Sequence, residues 1–207
     1  DYVLLPSYGS APSHPVMYNP EFVDDETKVL IQDALVAMKD SDEGAAILAN
    51  ILGTPGIVTT DATTHLGSYG GLIGDIPGIN SYYSDKYSIN ETVTPTISKI
   101  RIAYEVKDDY ENPDENPQIM ADFIAEQTGV EVTLYPVTSE GAIIEALRFG
   151  NADIAFMDGG AAWVAWKQCG LATMAADKKS DGRTYYNAHA WVHKDSEMAA
   201  AHLDDDD

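Results

Sequence analysis

The segment from Glu145 to Gly160 constrains the fold more than any other part of this chain. A helical pattern ends at Gly150, where glycine tolerates the left-handed backbone that terminates a helix. Residues 154–157 then read as a short buried strand, and Asp158 begins a turn of small residues. Helix, tight turn, strand and loop within sixteen residues are typical of an open α/β sheet. In such sheets, ligands bind beyond the carboxyl ends of the strands.

The second half of the chain alternates strands with helices. Asn116-Pro117 marks one helix start, because asparagine caps a helix and proline fits its first position. The patterns predict strands over 100–104, 130–135, 153–157 and 171–176, and helices over 117–128, 139–149 and 160–168. This order predicts an α/β fold with a mostly parallel sheet flanked by helices and joined by right-handed crossovers.

The first ninety residues follow a different pattern. They contain two short strand candidates, residues 3–5 and 15–18. A helix capped by Asp24 or Asp25 and running to Met38 comes next, followed by a second helix over residues 41–52. Residues 54–89 are rich in glycine, threonine, serine and tyrosine and are predicted to be irregular.

Composition excludes several classes of partner. Twelve basic against 34 acidic residues give a formal net charge of −22, which repels nucleic acid and anionic membranes. No apolar run is long enough to span a membrane, and no basic segment precedes an apolar one as in a signal peptide. The single cysteine, Cys169, rules out an internal disulfide and is predicted to be buried. No motif calls for a cofactor.

The motif Ala146-Leu-Arg-Phe-Gly, followed by Asp153-Ile-Ala, resembles a segment of the substrate-binding proteins of phosphonate/phosphite ABC importers. Residues 172–177, 182–187 and 191–196 fit the same pattern. The resemblance implies a lobe of the periplasmic-binding-protein type and a binding module rather than an enzyme. It also implies a small phosphonate ligand, an ABC permease as partner, and a periplasmic or extracellular location.

The order of the resembling sections is swapped. Residues 91–207 resemble the family's amino-terminal section, and residues 1–90 resemble its carboxyl-terminal section, with a join near Asn90. Since these sections share one lobe in the family, residues 1–207 are expected to form a single α/β lobe. A natural permutation, a designed single lobe and renumbered segments would each explain this order.

The resemblance transfers ligand positions onto five residues. Tyr186 matches an aromatic ligand contact, although an edge-strand tyrosine would give the same pattern. Glu140 stands where the family has a second tyrosine, and it would attract an ammonium group but repel a bare anion. Thr138 and Ser139 are neutral donors at a helix amino end, which favours anions. Asp158 either faces a cationic part of the ligand or caps the following helix.

Other functions remain open at this stage. His189 and His193 are four residues apart and are predicted to lie on one strand, facing the same side. No third metal ligand lies nearby in sequence, so no metal site is predicted. An enzyme of related fold, such as the relatives of thiamine-pyrimidine-precursor synthases, would need a reactive histidine or cysteine in the cleft. A ligand-free envelope protein could reuse the same lobe. Glu105 and the acidic loop 108–115 would make the cleft mouth negative, but membership of the general acidic surface is the preferred interpretation of these residues.

We expect the 207-residue chain to bind methylphosphonate no more tightly than about 1 mM, or about −4 kcal/mol. The sequence contains no Ser-Thr-Ser-Gly, the helix start that cradles the phosphonate in the family, and Glu140 opposes an anion. Calorimetric titration measures this affinity, and a micromolar dissociation constant would contradict the prediction.

Overall fold

A computed structural model of the chain describes residues 1–7, 9–67, 69, 98–106 and 116–204. Residues 202–204 are described as backbone only. The acidic loop 108–115 and the join near Asn90 lie outside these residues. No helix in the described ranges combines the length and apolar character needed to cross a bilayer.

Strands and helices alternate only in the middle of the chain, and runs of three strands lie near each end of the described residues. The strands are β1 (Tyr2–Leu4), β2 (Gly9–Pro12), β3 (Pro15–Tyr18), β4 (Gly56–Thr59), β5 (Lys99–Glu105), β6 (Glu131–Val137), β7 (Ile154–Phe156), β8 (Ala172–Lys178), β9 (Tyr185–Ala188) and β10 (Trp191–His193). The helices are α1 (Asp25–Ala37), α2 (Asp42–Ile47), α3 (Ala62–Leu66), α4 (Pro117–Thr128), α5 (Glu140–Arg148), α6 (Gly159–Cys169) and α7 (Glu197–Asp204).

Six of these strands form one sheet in the order β4-β8-β3-β7-β5-β6. Strands β5, β6 and β7 pair in parallel, and β8 points in the same direction. Strands β3 and β4 run the opposite way, so the pairings of β3 with β7 and β8, and of β4 with β8, are antiparallel. Four of the six strands therefore share one direction, and the predicted α/β fold class is confirmed.

Helices cover both faces of the sheet, because successive strand residues point to opposite sides. Ile102 and Ile154 face one core, which receives the apolar sides of α1, α2 and α4. Ala103 and Ala155, the next residues along each strand, face the other core, which receives α3, α5 and α6. Each core contains side chains from before residue 67 and after residue 98, so the two sections of the sequence share both cores.

The helix boundaries follow the capping residues. Asp24 caps α1 by accepting the Thr27 backbone N–H at 2.7 Å, and Asn116 caps α4 through the N–H of Gln118. Ser139, rather than Thr138, caps α5. Gly150 has φ of 66°, the left-handed conformation that the sequence pattern requires after this helix.

Two predictions for the first section were wrong. Residues 54–89 were predicted to be irregular, but this range contains β4, an edge strand of the sheet, and α3. These elements have four and five residues, too few for a periodic pattern to show in the sequence. The helix predicted over 41–52 divides into α2 and a π-helical turn, Leu48–Leu52.

Outside the six-stranded sheet, the segment before β3 pairs with the segment after β8. Strand β2 pairs with β9, and β1 pairs with β10, both antiparallel. The strand predicted at residues 3–5 is β1, displaced by one residue and separate from the six-stranded sheet. The pairing of β2 with β9 brings residues far apart in sequence to one end of the sheet.

A partly buried ion pair fixes the junction between β5 and β7. The Asp153 carboxylate, 3% exposed, accepts hydrogen bonds from the backbone N–H of Arg101 and from its guanidinium group at 2.7–2.9 Å. The backbone N–H of Asp153 returns a bond to the Arg101 carbonyl. This reciprocal contact sets the register with which β7 enters the sheet.

We expect Asp153→Ala to lower the free energy of unfolding by about 3 kcal/mol, because it leaves the Arg101 donors without their partner. Urea unfolding followed by circular dichroism measures the change. Asp181→Ala is the matched control, since its ion pair with Arg183 lies in solvent and its loss should leave the unfolding midpoint in place. Equal effects of the two substitutions would contradict the prediction.

Candidate functional site

A cavity of about 550 Å³ opens at the carboxyl ends of the parallel strands. Its floor is formed by the ends of β5 and β7, and its sides by the amino ends of α4 and α5. Ile57 and the π-helical turn add apolar wall from the first section of the chain. Four carboxylates line this largely apolar space: Glu105, Glu140, Asp158 and Asp177.

A second cavity of about 430 Å³ lies beside the first, under strand β2. It is lined by Tyr186, Tyr69 and the first turn of α6. Gly159 permits this arrangement, because a Cβ there would lie 2.7 Å from the Pro12 ring. Three side chains line both cavities and form the wall that they share: His14, Glu140 and Asp158. We call these three residues the shared wall.

His14 is held in place by the residue before it. Ser13 is fully buried, its hydroxyl donates to the Asp177 carbonyl at 2.8 Å, and its backbone N–H donates to the Thr184 carbonyl. The His65 ring nitrogen Nε2 lies 2.9 Å from the Ser13 carbonyl oxygen. These contacts fix the turn between β2 and β3 and thereby aim the His14 imidazole into the cleft.

The His14 ring lies between two carboxylates. Its Nε2 is 3.2 Å from Asp158 Oδ1, and its Nδ1 is 3.7 Å from Asp177 Oδ2 and 3.3 Å from the Tyr186 hydroxyl. Contact with Asp177 raises the pKa of His14 above its ordinary value, and Asp158 adds to this, while burial and the nearby Lys179 oppose it. The charged imidazolium is therefore favoured in the folded chain.

Asp177 is buried and contacts both His14 and Lys179. Burial alone would raise its pKa, but hydrogen bonds from His14 and Lys179 lower it to about 2. The Lys179 ammonium lies 2.7 Å from Asp177 Oδ2 and also bonds to the Tyr186 hydroxyl. Asp177 thus stays ionised and holds two cationic side chains at the cleft.

Glu140 has the most perturbed carboxyl group of the cleft. Burial raises its pKa to about 7, with Asp158 and Glu105 adding repulsion, while a backbone hydrogen bond from Asp158 and the His14 charge oppose the rise. Its Oε2 is inaccessible to solvent and makes no hydrogen bond to any described residue. A side chain at this position can exist in either protonation state at neutral pH.

The structure brings together three of the five predicted ligand residues. Glu140, Asp158 and Tyr186 surround His14 and line the cavities. Asp158 occupies the position before α6, but its side chain makes no capping hydrogen bond and pairs with His14 instead. Thr138 and Ser139 are exposed and line neither cavity, and the Ser139 hydroxyl oxygen accepts the N–H of Ala142.

Sequence reasoning missed His14, Asp177 and Tyr69. His14 comes immediately before strand β3, but only the pairing of β3 with β7 and β8 shows which side chains it meets. Asp177 directly follows the strand predicted over 171–176 and drew attention only as part of the family-like pattern 172–177, although the end of such a strand lies at the ligand-binding edge of the sheet. No sequence signal pointed to Tyr69.

The residues considered for metal binding or catalysis lie elsewhere. His189 lies outside β10, and its Nδ1 is 3.0 Å from the Leu5 carbonyl oxygen, whereas His193 packs edge-on against Tyr2. The assumption that both histidines occupy one strand was therefore wrong. Burial raises the pKa of Cys169, which lines neither cavity. Among the described side chains, no three histidine, cysteine or acidic groups are arranged to hold a metal ion.

Comparison with known families gives a match over the second half of the chain. Residues 109–205 match the family described as "ABC transporter, phosphonate, periplasmic substrate-binding protein". This part of the chain is similar to that family. The resemblance seen in the sequence is thus confirmed, and the phosphonate-binding family consists of binding components, not enzymes.

Among solved structures, the chain is similar to NikA from Brucella suis in complex with Fe(III)-EDTA. The identity is 14%, the match covers 76% of this chain and 32% of that chain, and the TM-score is 0.32. This chain therefore spans about a third of the NikA chain, and a likeness of this size carries no inference about function. No curated protein matches the sequence.

We expect the stability of the chain to fall as the pH rises from about 5 to 8. Glu140 has a folded pKa above its unfolded value, so the folded state keeps a proton that the unfolded state has lost, and that advantage disappears as the pH passes about 7. His14, also raised, acts in the same direction. Glu140→Gln should remove on the order of 1–2 kcal/mol of this decline.

Chemical unfolding at a series of pH values measures this effect. Asp177, whose pKa is lowered to about 2, acts oppositely, so stability should also fall as the pH drops below about 4. Glu126→Gln, an exposed change on α4, controls for the loss of one negative charge. A decline of equal size in Glu140→Gln and the parent chain would show that Glu140 does not cause it.

Proposed function

We propose that this chain is the ligand-binding lobe of an extracytoplasmic solute-binding component that serves an ABC importer, and that its ligand is a phosphonate carrying an amine. The family match supports a small-molecule ligand and an ABC transporter context. The observation that carries the proposal is the cleft at the carboxyl ends of β5 and β7, where the shared wall joins two cavities. An ABC permease would be the partner, and the location would be periplasmic or extracellular.

The amine is inferred from the charges of the cleft. Glu105, Glu140, Asp158 and Asp177 face the larger cavity, whereas the His14 charge is already shared by two of these carboxylates. A bare dianion would meet uncompensated repulsion, which a partly dry cleft magnifies. An ammonium group would instead meet acceptors, and a zwitterionic aminoalkylphosphonate satisfies both signs.

The phosphonate end is assigned to the smaller cavity. The Tyr186 hydroxyl lies there, bonded to Lys179 and His14, and the amino end of the eleven-residue helix α6 opens onto the same space. Hydroxyl groups and helix amino ends both favour phosphoryl oxygens. Thr138 and Ser139 would contribute only if the ligand extended along the amino end of α5.

Residues 1–90 and 91–207 are proposed to make up one lobe in permuted order. This is supported by β3 and β4, which enter the sheet built by β5 to β8. The arrangement matters for function because His14 comes from the first section, whereas Glu140 and Asp158 come from the second. A cleft of this composition exists only where both sections fold together.

We expect Glu140→Gln to strengthen binding of methylphosphonate and to weaken binding of 2-aminoethylphosphonate, each by about 3- to 10-fold at pH 8. The substitution keeps shape but removes a charge that repels the first ligand and attracts the second. Titration of each ligand into isotopically labelled chain, followed by NMR, measures both affinities. Shifts of both ligands in the same direction would contradict the proposal.

Two further outcomes address the alternatives. Glu126→Gln should change neither affinity, since Glu126 lines neither cavity. If neither phosphonate perturbed signals of the cleft residues, the chain would instead fit the ligand-free envelope protein that the sequence also allows.

A further inference from the structure

Glu140 is placed so that its two protonation states face very different conditions. Glu140 lies in the first turn of α5 and is part of the shared wall. Its Oε2 is shielded from solvent and has no hydrogen-bond partner among the described residues. When the group is a neutral acid, the shielded oxygen costs little free energy, because it carries no net charge. As a carboxylate, it presents a shielded charge that the backbone N–H of Asp158 and the shared charge of His14 offset only in part.

The groups that face Glu140 come from several elements. Asp158, at the start of α6, and Glu105, at the end of β5, repel its negative charge. His14, from the turn before β3, attracts it, but His14 already lies between Asp158 and Asp177, and Lys179 is committed to Asp177 and Tyr186. Each of these described cations is therefore paired with another acid, so the described residues provide Glu140 with no counter-ion of its own.

We propose that Glu140 releases its proton when a ligand's ammonium group binds beside it and takes up a proton when a ligand without a cation binds, so that this side chain selects for amine-bearing ligands. In the first case the carboxylic O–H bond breaks, the proton passes to water, and a carboxylate–ammonium ion pair remains. In the second case a hydronium ion transfers its proton to the carboxylate and becomes water, and the neutral acid no longer repels the anion. The inference rests on the proposed function, since it concerns the same cleft.

This exchange makes Glu140 a specificity-determining residue rather than a passive charge. An amine gains an ion pair with a carboxylate that has no cation of its own among the residues the structure describes, whereas a bare phosphonate must first recruit a proton. The fraction of Glu140 that is protonated near neutral pH supports the idea, because both states are then accessible without large cost.

The test follows the Glu140 carboxyl carbon by ¹³C NMR across a pH titration of the whole chain, with the resonance assigned by its loss in Glu140→Gln. Three titrations are compared: free chain, chain with excess 2-aminoethylphosphonate, and chain with excess methylphosphonate. The expected result is a midpoint at least one pH unit lower with the amine and higher with methylphosphonate, each relative to the free chain. The Glu126 carboxyl serves as an internal control and should not move.

A second measurement removes the ligands' own titration. The ratio of the parent affinity to that of Glu140→Gln should rise with pH, by up to 10-fold per pH unit below the midpoint, for 2-aminoethylphosphonate and fall for methylphosphonate. Ligand-induced shifts in the cleft combined with an unchanged Glu140 midpoint would overturn this inference and leave the proposed function in place. Absence of any cleft response to either ligand would overturn both.

Discussion

Insertion of strand β3 between β7 and β8 is the contact on which the rest of the structure depends. β3 is antiparallel to both neighbours and joins the parallel strands of the second section to β8 and β4. Its residues alternate between the two cores, with Val16 in one and Met17 in the other. The residue just before the strand is His14, so the same pairing that completes the sheet also places the only histidine of the described cleft lining between two carboxylates.

The cleft combines strong negative charge with few free cations. The chain carries a formal charge of −22, and the larger cavity contains four acidic side chains from four different elements. His14 and Lys179 offset this charge locally, yet both are paired with Asp177, which stays ionised because of them. Burial and the neighbouring Asp158 and Glu105 raise the pKa of Glu140 to about 7, so this acid can hold a proton near neutral pH. This division of roles among neighbouring carboxylates follows from burial and distance, since the chemical groups are the same.

Much of the fold was predictable because its signals are local. Caps at Asp24, Asn116 and Ser139, and the left-handed Gly150, lie within a few residues of the helices that they bound. The predicted strand–helix order of the second section, and the α/β class that follows from it, agree with the structure for the same reason. The short elements β4 and α3 were not predicted, because they are too short to show a repeating pattern. Their stability comes from the sheet edge and the core that they join.

For the candidate site too, local sequence signals predicted some features, and tertiary contacts decided the others. Sequence by itself determined the α/β class, the helix ends, the resemblance to phosphonate-binding proteins and the presence of Glu140, Asp158 and Tyr186 near strand and helix ends. Only the tertiary structure decided that His14 and Asp177 meet at these residues and that Asp158 pairs across the cleft instead of capping α6. It also decided that the Oε2 of Glu140 is shielded from solvent with no hydrogen-bond partner among the described residues. The reason is physical: caps and periodic faces depend on neighbours a few residues away, whereas the charge state of a cleft residue depends on side chains that approach from distant parts of the chain.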